Sequence, residues 1–461
     1  MQTEPAKAAS PAFESLFALR EALDVGATTS RALTEAALAR IDDPQGEGAR
    51  TFTVVFRAAA LAAADAADTL RAAGIVLSPL AGIPVSVKDL FDVAGRVTTS
   101  GSRALAGGRA AHTDADIVQR LRQAGAVIVG TTNMTEFAFT GLGINPHYGT
   151  PRNPHERAAG RIPGGSSSGA AISVTDGMAA VAIGTDTGGS VRIPAALCGL
   201  VGLKPSAQRV STRGALPLST TLDSIGPIGA TVDCCARMDA ILSDTTYHPA
   251  AALDLKNLRF FAPTNHVRDG EDPAVRDAFE AAVQRLRSVG AHVDEHRLPP
   301  LARIPALLAK GGFAAAEAFA WHRPLLQSHG AEYDPFVFGR IMRGSEQTAA
   351  DYIDLLAERR ALIAEFAAAT SEYDAVIMPT VAVTAPLIAD LADTETYARL
   401  NALILRNTTV ANLIDGCALS IPCHAPGPLP VGFMLVGPNG SDARILRLGA
   451  AIEAVLKDSA A

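Results

Sequence analysis

The chain predicts an α/β fold: one large domain around a twisted sheet, mostly parallel or mixed, with helices on both faces. Three observations carry this. Short runs rich in β-branched residues read as buried strands: "GIPVSVKDLFDV" (82–93), "AVIVGTTN" (126–133) and "DAVIMP" (374–379). Runs with helical apolar spacing alternate with them, as in "DADIVQRLRQAG" (114–125) and "AVRDAFEAAVQRLRSVG" (274–290). The 461 residues are 48% hydrophobic and 19% charged, enough to fill a large single core.

The N-terminal part, 11–74, reads as helices. "PAFESLFALREALDVG" (11–26) places Phe13, Leu16, Phe17, Leu19 and Leu23 near helical spacing, and Gly26 stops it. "TTSRALTEAALARI" (28–41) offers Thr29 or Ser30 as an N-cap before an apolar stripe of Leu33, Ala37, Leu38 and Ile41. "FRAAALAAADAADTLRAAG" is alanine-rich and ends at Gly74. The strand-forming texture then begins, and a core of about 79–227 follows. The stretch 243–257 reads as a surface connection within one domain spanning 1–461, and about 245–370 is the more variable region.

Charge and cysteine usage narrow the function. The formal net charge is -7, and the 40 Lys+Arg form no long basic runs, which argues against nucleic-acid binding. The five cysteines, Cys198, Cys234, Cys235, Cys417 and Cys423, fit no zinc spacing and read as buried thiols of a cytoplasmic protein. The start "MQTEPAKAAS" lacks the apolar run of a secretory signal. No uninterrupted apolar stretch of about 18 residues predicts a membrane span.

Two glycine-rich stretches carry the candidate chemistry. In "GTDTGGSVRIPAALCGLVGLKPS" (184–206) two glycines precede Ser190. Successive N–H groups in such a turn can converge on one negative charge, and a serine at its end can attack a carbonyl held there. The other stretch, "GRIPGGSSSG" (160–169), feeds directly into an apolar helix-like run, as an ordered loop does. Within it "GSSSG" (165–169) matches the G-x-S-x-G elbow with Ser167 as nucleophile. That motif requires a preceding strand and a histidine base; the preceding residues are turn-like, and neither His424 nor another histidine is marked out. Lys88 ends the 82–93 strand. At a strand end it snorkels to solvent, or the fold encloses it, lowers its pKa and leaves a neutral amine able to take a proton.

Taken in order, these stretches resemble the amidase signature hydrolases. "PLAGIPVSVKDLFDVAG", "TNMTEFAF", "NPHYGTPRNP", "GRIPGGSSSG" and "AIGTDTGGSVRIPAALCGLVGLKPS" carry the resemblance from Pro79 to Pro227, with "CALSIPC" and "LPVGFMLVGP" similar to the family's closing strands. The spacing of 24 positions between Ser166 and Ser190 fits the family motif. The resemblance implies Lys88 as general base, Ser166 after a cis peptide as proton bridge, and Ser190 as nucleophile. It implies an oxyanion hole from the backbone of Thr187, Gly188 and Gly189, with Ser190 possible as a further donor. Asp186, Arg192 and Ser167 would support the site. Ser168 stands where the family usually has a glycine, a small departure at a loop position.

The implied reaction is hydrolysis of a small amide, anilide or carbamate through an acyl-enzyme, with no metal or organic cofactor, by a monomer or homodimer. Activity is expected to rise through mildly alkaline pH as Lys88 loses its proton. Met134, Phe137 and Leu142, with Phe139, are expected to line an apolar substrate pocket, or else to be packing residues. Residues 300–345, with Phe313, Trp321, Tyr333 and Phe336, are expected to contribute to substrate choice. Three other readings stay open: the glutaminase-type component of a glutamyl-tRNA amidotransferase (its A chain), a non-catalytic scaffold, and a cysteine enzyme using Cys198.

Overall fold

Strand β1 spans Phe52–Val55, β2 Pro84–Lys88, β3 Val127–Thr132 and β4 Val181–Asp186; β5 is Val201–Lys204, β6 Ser224–Gly229 and β7 Arg259–Pro263. The remaining strands are β8 His292–His296, β9 Ala375–Pro379, β10 Cys417–Pro422 and β11 Gly432–Gly437. They form one sheet in the order β1-β3-β2-β4-β6-β5-β10-β11-β9-β7-β8. These facts come from a computed structural model that describes residues 15–247, 253–423 and 429–457. The start of the expected helical segment (11–14), the middle of the 243–257 connection and His424 lie outside the described residues.

The sheet is mixed, and its parallel pairings sit in two groups: β3–β2–β4 and β9–β7–β8. Parallel neighbours need a crossover, supplied by the helix Asp116–Gln123 between β2 and β3 and by Pro273–Ser288 between β7 and β8. The middle is antiparallel: β6 pairs with β4 and β5, and β10 and β11 pair with each other between β5 and β9. Every residue of β2, β3 and β4 is buried, which explains their near-continuous apolar reading.

Alternation along β4 shows both faces covered. Ala182 packs with Ala171 and Val174 of the helix Ser168–Thr175, whereas Val181 and Ile183 join a cluster containing Ile117, Leu121 and Met238 from other helices. Near the N-terminus Thr29 caps the helix Ser30–Asp42 by accepting from the Ala32 N–H at 3.0 Å. Ala37, Leu38 and Ile41 are buried as expected, while Phe17 of the preceding helix is exposed. All five cysteines are free and buried. Burial pushes the Cys198 thiol far above its ordinary value, opposite to the shift a cysteine nucleophile needs. Among the described residues no helix is long and apolar enough to cross a membrane.

Candidate active site

The parallel pair β2–β4 sets the position of the site. Val85 pairs with Val181 and Val87 with Ile183, so Lys88 and Thr185 arrive together at the carboxyl ends of adjacent strands. The Lys88 ammonium nitrogen Nζ lies 2.8 Å from Ser166 Oγ and 2.9 Å from Thr185 Oγ1, and no part of Lys88 reaches solvent. Desolvation lowers its pKa to about 7 against the opposing pull of Asp223 and Asp186. Lys88 is therefore enclosed rather than snorkelling.

Ser166 follows a cis peptide bond at Gly165–Ser166. The Ser166 carbonyl accepts from the Thr135 N–H at 3.0 Å. Ser167 donates its N–H to the Ser190 carbonyl at 3.2 Å, which joins the serine loop to the turn after β4. Its hydroxyl faces the Thr185 carbonyl at 3.5 Å, inside the fold. The residues ahead of the loop contain no named strand, so the elbow geometry that Ser167 would need is absent among the described residues.

The turn 187–190 joins β4 to the helix Arg192–Cys198. Gly189 has φ +132, and an added Cβ there would collide with Thr408 Oγ1, so only glycine fits. Thr408 and Thr409 donate hydroxyl hydrogen bonds to the Gly188 carbonyl at 2.6 and 3.3 Å. The Gly189 N–H donates to Asp186 Oδ1 at 3.0 Å. This corrects its assignment to the oxyanion hole, since the carboxylate already occupies that donor. The N–H groups of Thr187, Gly188 and Ser190 have no hydrogen-bond acceptor among the described residues. These three N–H groups line the cavity mouth with their donor capacity unused.

Asp186 braces the turn. Besides Gly189 it accepts from the Val191 N–H at 3.2 Å, from Arg192 Nη2 at 2.8 Å and from Asn412 Nδ2 at 3.0 Å. Burial pushes its carboxyl up, but the Arg192 charge and hydrogen bonds outweigh that and hold it at about 2. Arg192 is wholly buried and also donates to the Thr408 carbonyl at 2.9 Å and to Asn412 Oδ1 at 2.7 Å. Replacing Arg192 by alanine strands a buried carboxylate, and urea unfolding is expected to show a loss of about 3–5 kcal/mol. A loss under about 1 kcal/mol would mean the pair does not hold the turn.

Ser190 opens into a cavity of about 560 Å³, within the usual range for a small-molecule site. Its walls include Ala138, Phe139 and Thr140, Leu218 and Leu222, Ile304, Leu307 and Phe313, and residues of the helix Thr394–Leu413. Met134, Phe137 and Leu142 are not part of this lining, which corrects their expected role. Phe137 and Ala138 both have positive φ, and the bend turns Phe137 into the core, with its ring centroid 4.4 Å from His322 and 4.9 Å from Tyr333. Met134 and Leu142 are likewise fully buried in core clusters. Phe139 does reach the cavity.

The 300–345 region contributes Phe313 to the lining. Trp321 is partly exposed, Tyr333 hydrogen-bonds His322 at 2.8 Å, and Phe336 stacks on Tyr397. Thr185, Asn412 and Thr408 were missed from sequence. Only Thr185 had a local signal, since it lies in the glycine-rich stretch itself.

Comparison with known proteins agrees with this geometry. A family model described as Amidase matches residues 32–446. The chain is 40% identical over 403 residues to the 2-amino-5-chloromuconic acid deaminase of Comamonas testosteroni, covering 87% of both chains. It is 36% identical over 473 residues to the A component of the glutamyl-tRNA(Gln) amidotransferase of Chloroflexus aggregans, covering 95% of both. A crystallised amidase superposes with a TM-score of 0.86 at 33% identity, over 95% of this chain and 99% of that one.

Proposed function

Since the chain belongs to the amidase family and is a hydrolase of carbon–nitrogen bonds, we propose that it cleaves a small amide-type substrate through an acyl-enzyme on Ser190. The supporting observation is Lys88: an amine buried at a strand end, its pKa lowered to about 7, hydrogen-bonded to Ser166. Neutral Lys88 takes a proton from Ser166, and Ser166 takes one from Ser190, because a hydroxyl both donates and accepts. No hydrogen bond joins Ser166 Oγ to Ser190 Oγ among the described residues, and substrate binding is the step that brings them into line.

Ser190 Oγ then bonds to the carbonyl carbon, and the electron pair moves to the carbonyl oxygen. The N–H groups of Thr187, Gly188 and Ser190 face that oxyanion, each worth about 3 kcal/mol of barrier. The tetrahedral adduct collapses by breaking the carbon–nitrogen bond. The proton returns through Ser166 to the leaving nitrogen. Water attacks the ester under the same relay and restores Ser190. Asp186, Arg192 and Ser167 hold these groups in place. The setting we propose is cytoplasmic, with the chain acting as a monomer or homodimer on a small molecule.

A second reading is favoured by the likeness to the A components of amidotransferases: release of ammonia from glutamine inside a larger complex. Purified chain is expected to hydrolyse a small amide or carbamate without ATP, tRNA, metal or a further protein component. Activity seen only with added partner proteins and tRNA would transfer the assignment to the amidotransferase reading.

A further inference from the structure

Four arginines, Arg340, Arg343, Arg399 and Arg406, lie on the wall of the Ser190 cavity, and its lining contains no Asp or Glu among the described residues. Arg406 is committed to the fold through the carbonyls of Val267 and Asp269 and through Asn407 Oδ1. Arg343 donates to the Ala309 carbonyl at 2.6 Å, and both it and Arg399 are exposed. Arg340, on the helix Pro335–Met342, is different. Its guanidinium lies over the Phe139 ring at 5.3 Å, and its Nε is out of solvent with no hydrogen-bond partner among the described residues. The titratable groups acting on it are Tyr397 and Arg343, with no described carboxylate among them.

A second nitrogen on the same wall, His266 Nε2, is also buried without a partner. Holding a guanidinium in partly apolar surroundings with no anion costs free energy, and a bound anion recovers it. Elsewhere the cavity lining includes the apolar side chains Leu222, Ile304, Leu307 and Phe313.

Resting on the serine-amidase reading above, we propose that Arg340 binds a carboxylate of the substrate. The substrates are then amides with an apolar body and a free carboxylate remote from the scissile bond. The guanidinium fork matches a carboxylate in shape and charge. The missing acidic lining discriminates further. An α-amino acid such as glutamine brings an ammonium as well as a carboxylate, and this wall gives the ammonium no anionic partner.

The test compares kcat/KM for the monoamides succinamate to pimelamate with the neutral monoamides of equal chain length. Wild type is expected to favour the acid by about 100-fold at the best length, with glutamine far poorer than the matching acid. In Arg340→Met the acid-to-neutral ratio is expected to fall about 100-fold, and Arg340→Lys should recover part of it. Using a ratio within each protein removes the effect of partial misfolding. Calorimetric binding of the dicarboxylate with the best chain length, which contains no amide, is expected in wild type and at least 10-fold weaker in Arg340→Met.

A wild-type ratio near one, or a ratio and binding indifferent to Arg340→Met, overturns the carboxylate assignment. If hydrolysis of both substrates is then still lost in Ser190→Ala, the serine-amidase reading stands without it. Conversely, Arg340-dependent binding together with hydrolysis that survives Ser190→Ala upholds the carboxylate site and removes the nucleophile assignment.

Discussion

Ser190→Ala is expected to lower amide hydrolysis by on the order of 10⁴-fold or more, to the limit of detection, while leaving a folded protein. Ser190 is the hydroxyl at the end of the turn that lines the cavity, and among the described residues no other serine lines it. A fluorophosphonate is expected to label wild type at Ser190, located by peptide mapping, and to leave the variant unlabelled. The effect is large because removing the nucleophile removes the covalent route altogether, not one stabilising contact. Labelling at Ser167 would return the elbow reading. The structure opposes that reading, because no named strand leads into the loop and the Ser167 hydroxyl faces the Thr185 carbonyl.

Lys88→Ala is expected to lower kcat/KM by on the order of 10³-fold, the range for a lost general base. Lys88→Arg should be nearly as poor, since a guanidinium stays protonated. In wild type kcat/KM should fall tenfold per pH unit below about 7, where Lys88 is protonated, and level off above it. This limb overlaps the ordinary histidine range, so the substitution, rather than the profile alone, separates the two bases.

Stability gives an independent readout of the same group. The folded-state pKa of Lys88 is about 7, and an unfolded lysine has about 10.4. Between these values the unfolded chain holds the extra proton. The Lys88 contribution to stability therefore rises with pH across that window, and its penalty is fully present below about 7. Lys88→Met should show a shallower slope in thermal unfolding measured from pH 7 to 10, the remainder coming from Lys204, whose buried amine is lowered to about 8. An unchanged slope would place the proton elsewhere.

The candidate site was legible through the ordered set of motifs that resembles the amidase signature hydrolases. A lysine closing a β-branched strand, a glycine–serine loop and a double-glycine turn each have an ordinary structural reading when taken alone. Burial alone would not have picked out Lys88: Lys204 is equally buried, yet its amine is held by the carbonyls of Pro205 and Gly416. What distinguishes Lys88 is its pair of hydroxyl partners, which depends on the β2–β4 register and hence on tertiary structure.

The pocket was less legible for a related reason. Met134, Phe137, Phe139 and Leu142 are all apolar, and the positive φ at Phe137 and Ala138 decides which of them faces the cavity. The antiparallel middle of the sheet was hidden because β10 and β11 come from the C-terminal end and insert beside β5, a pairing that no local pattern encodes. Gly189 looked like an oxyanion donor because its N–H lies in the turn, but the Asp186 carboxylate takes it from three residues away.

The central claim is that proton transfer from Ser190 runs through Ser166 to a neutral Lys88. Single-turnover acylation of Ser190, followed against pH in wild type, Lys88→Arg and Ser166→Ala, tests it most directly. The expected result is a wild-type rate that rises to a plateau with a midpoint near pH 7, and rates lower by on the order of 10²-fold or more in both folded variants at every pH. A folded Lys88→Arg protein that acylates at a near-normal rate would contradict the claim.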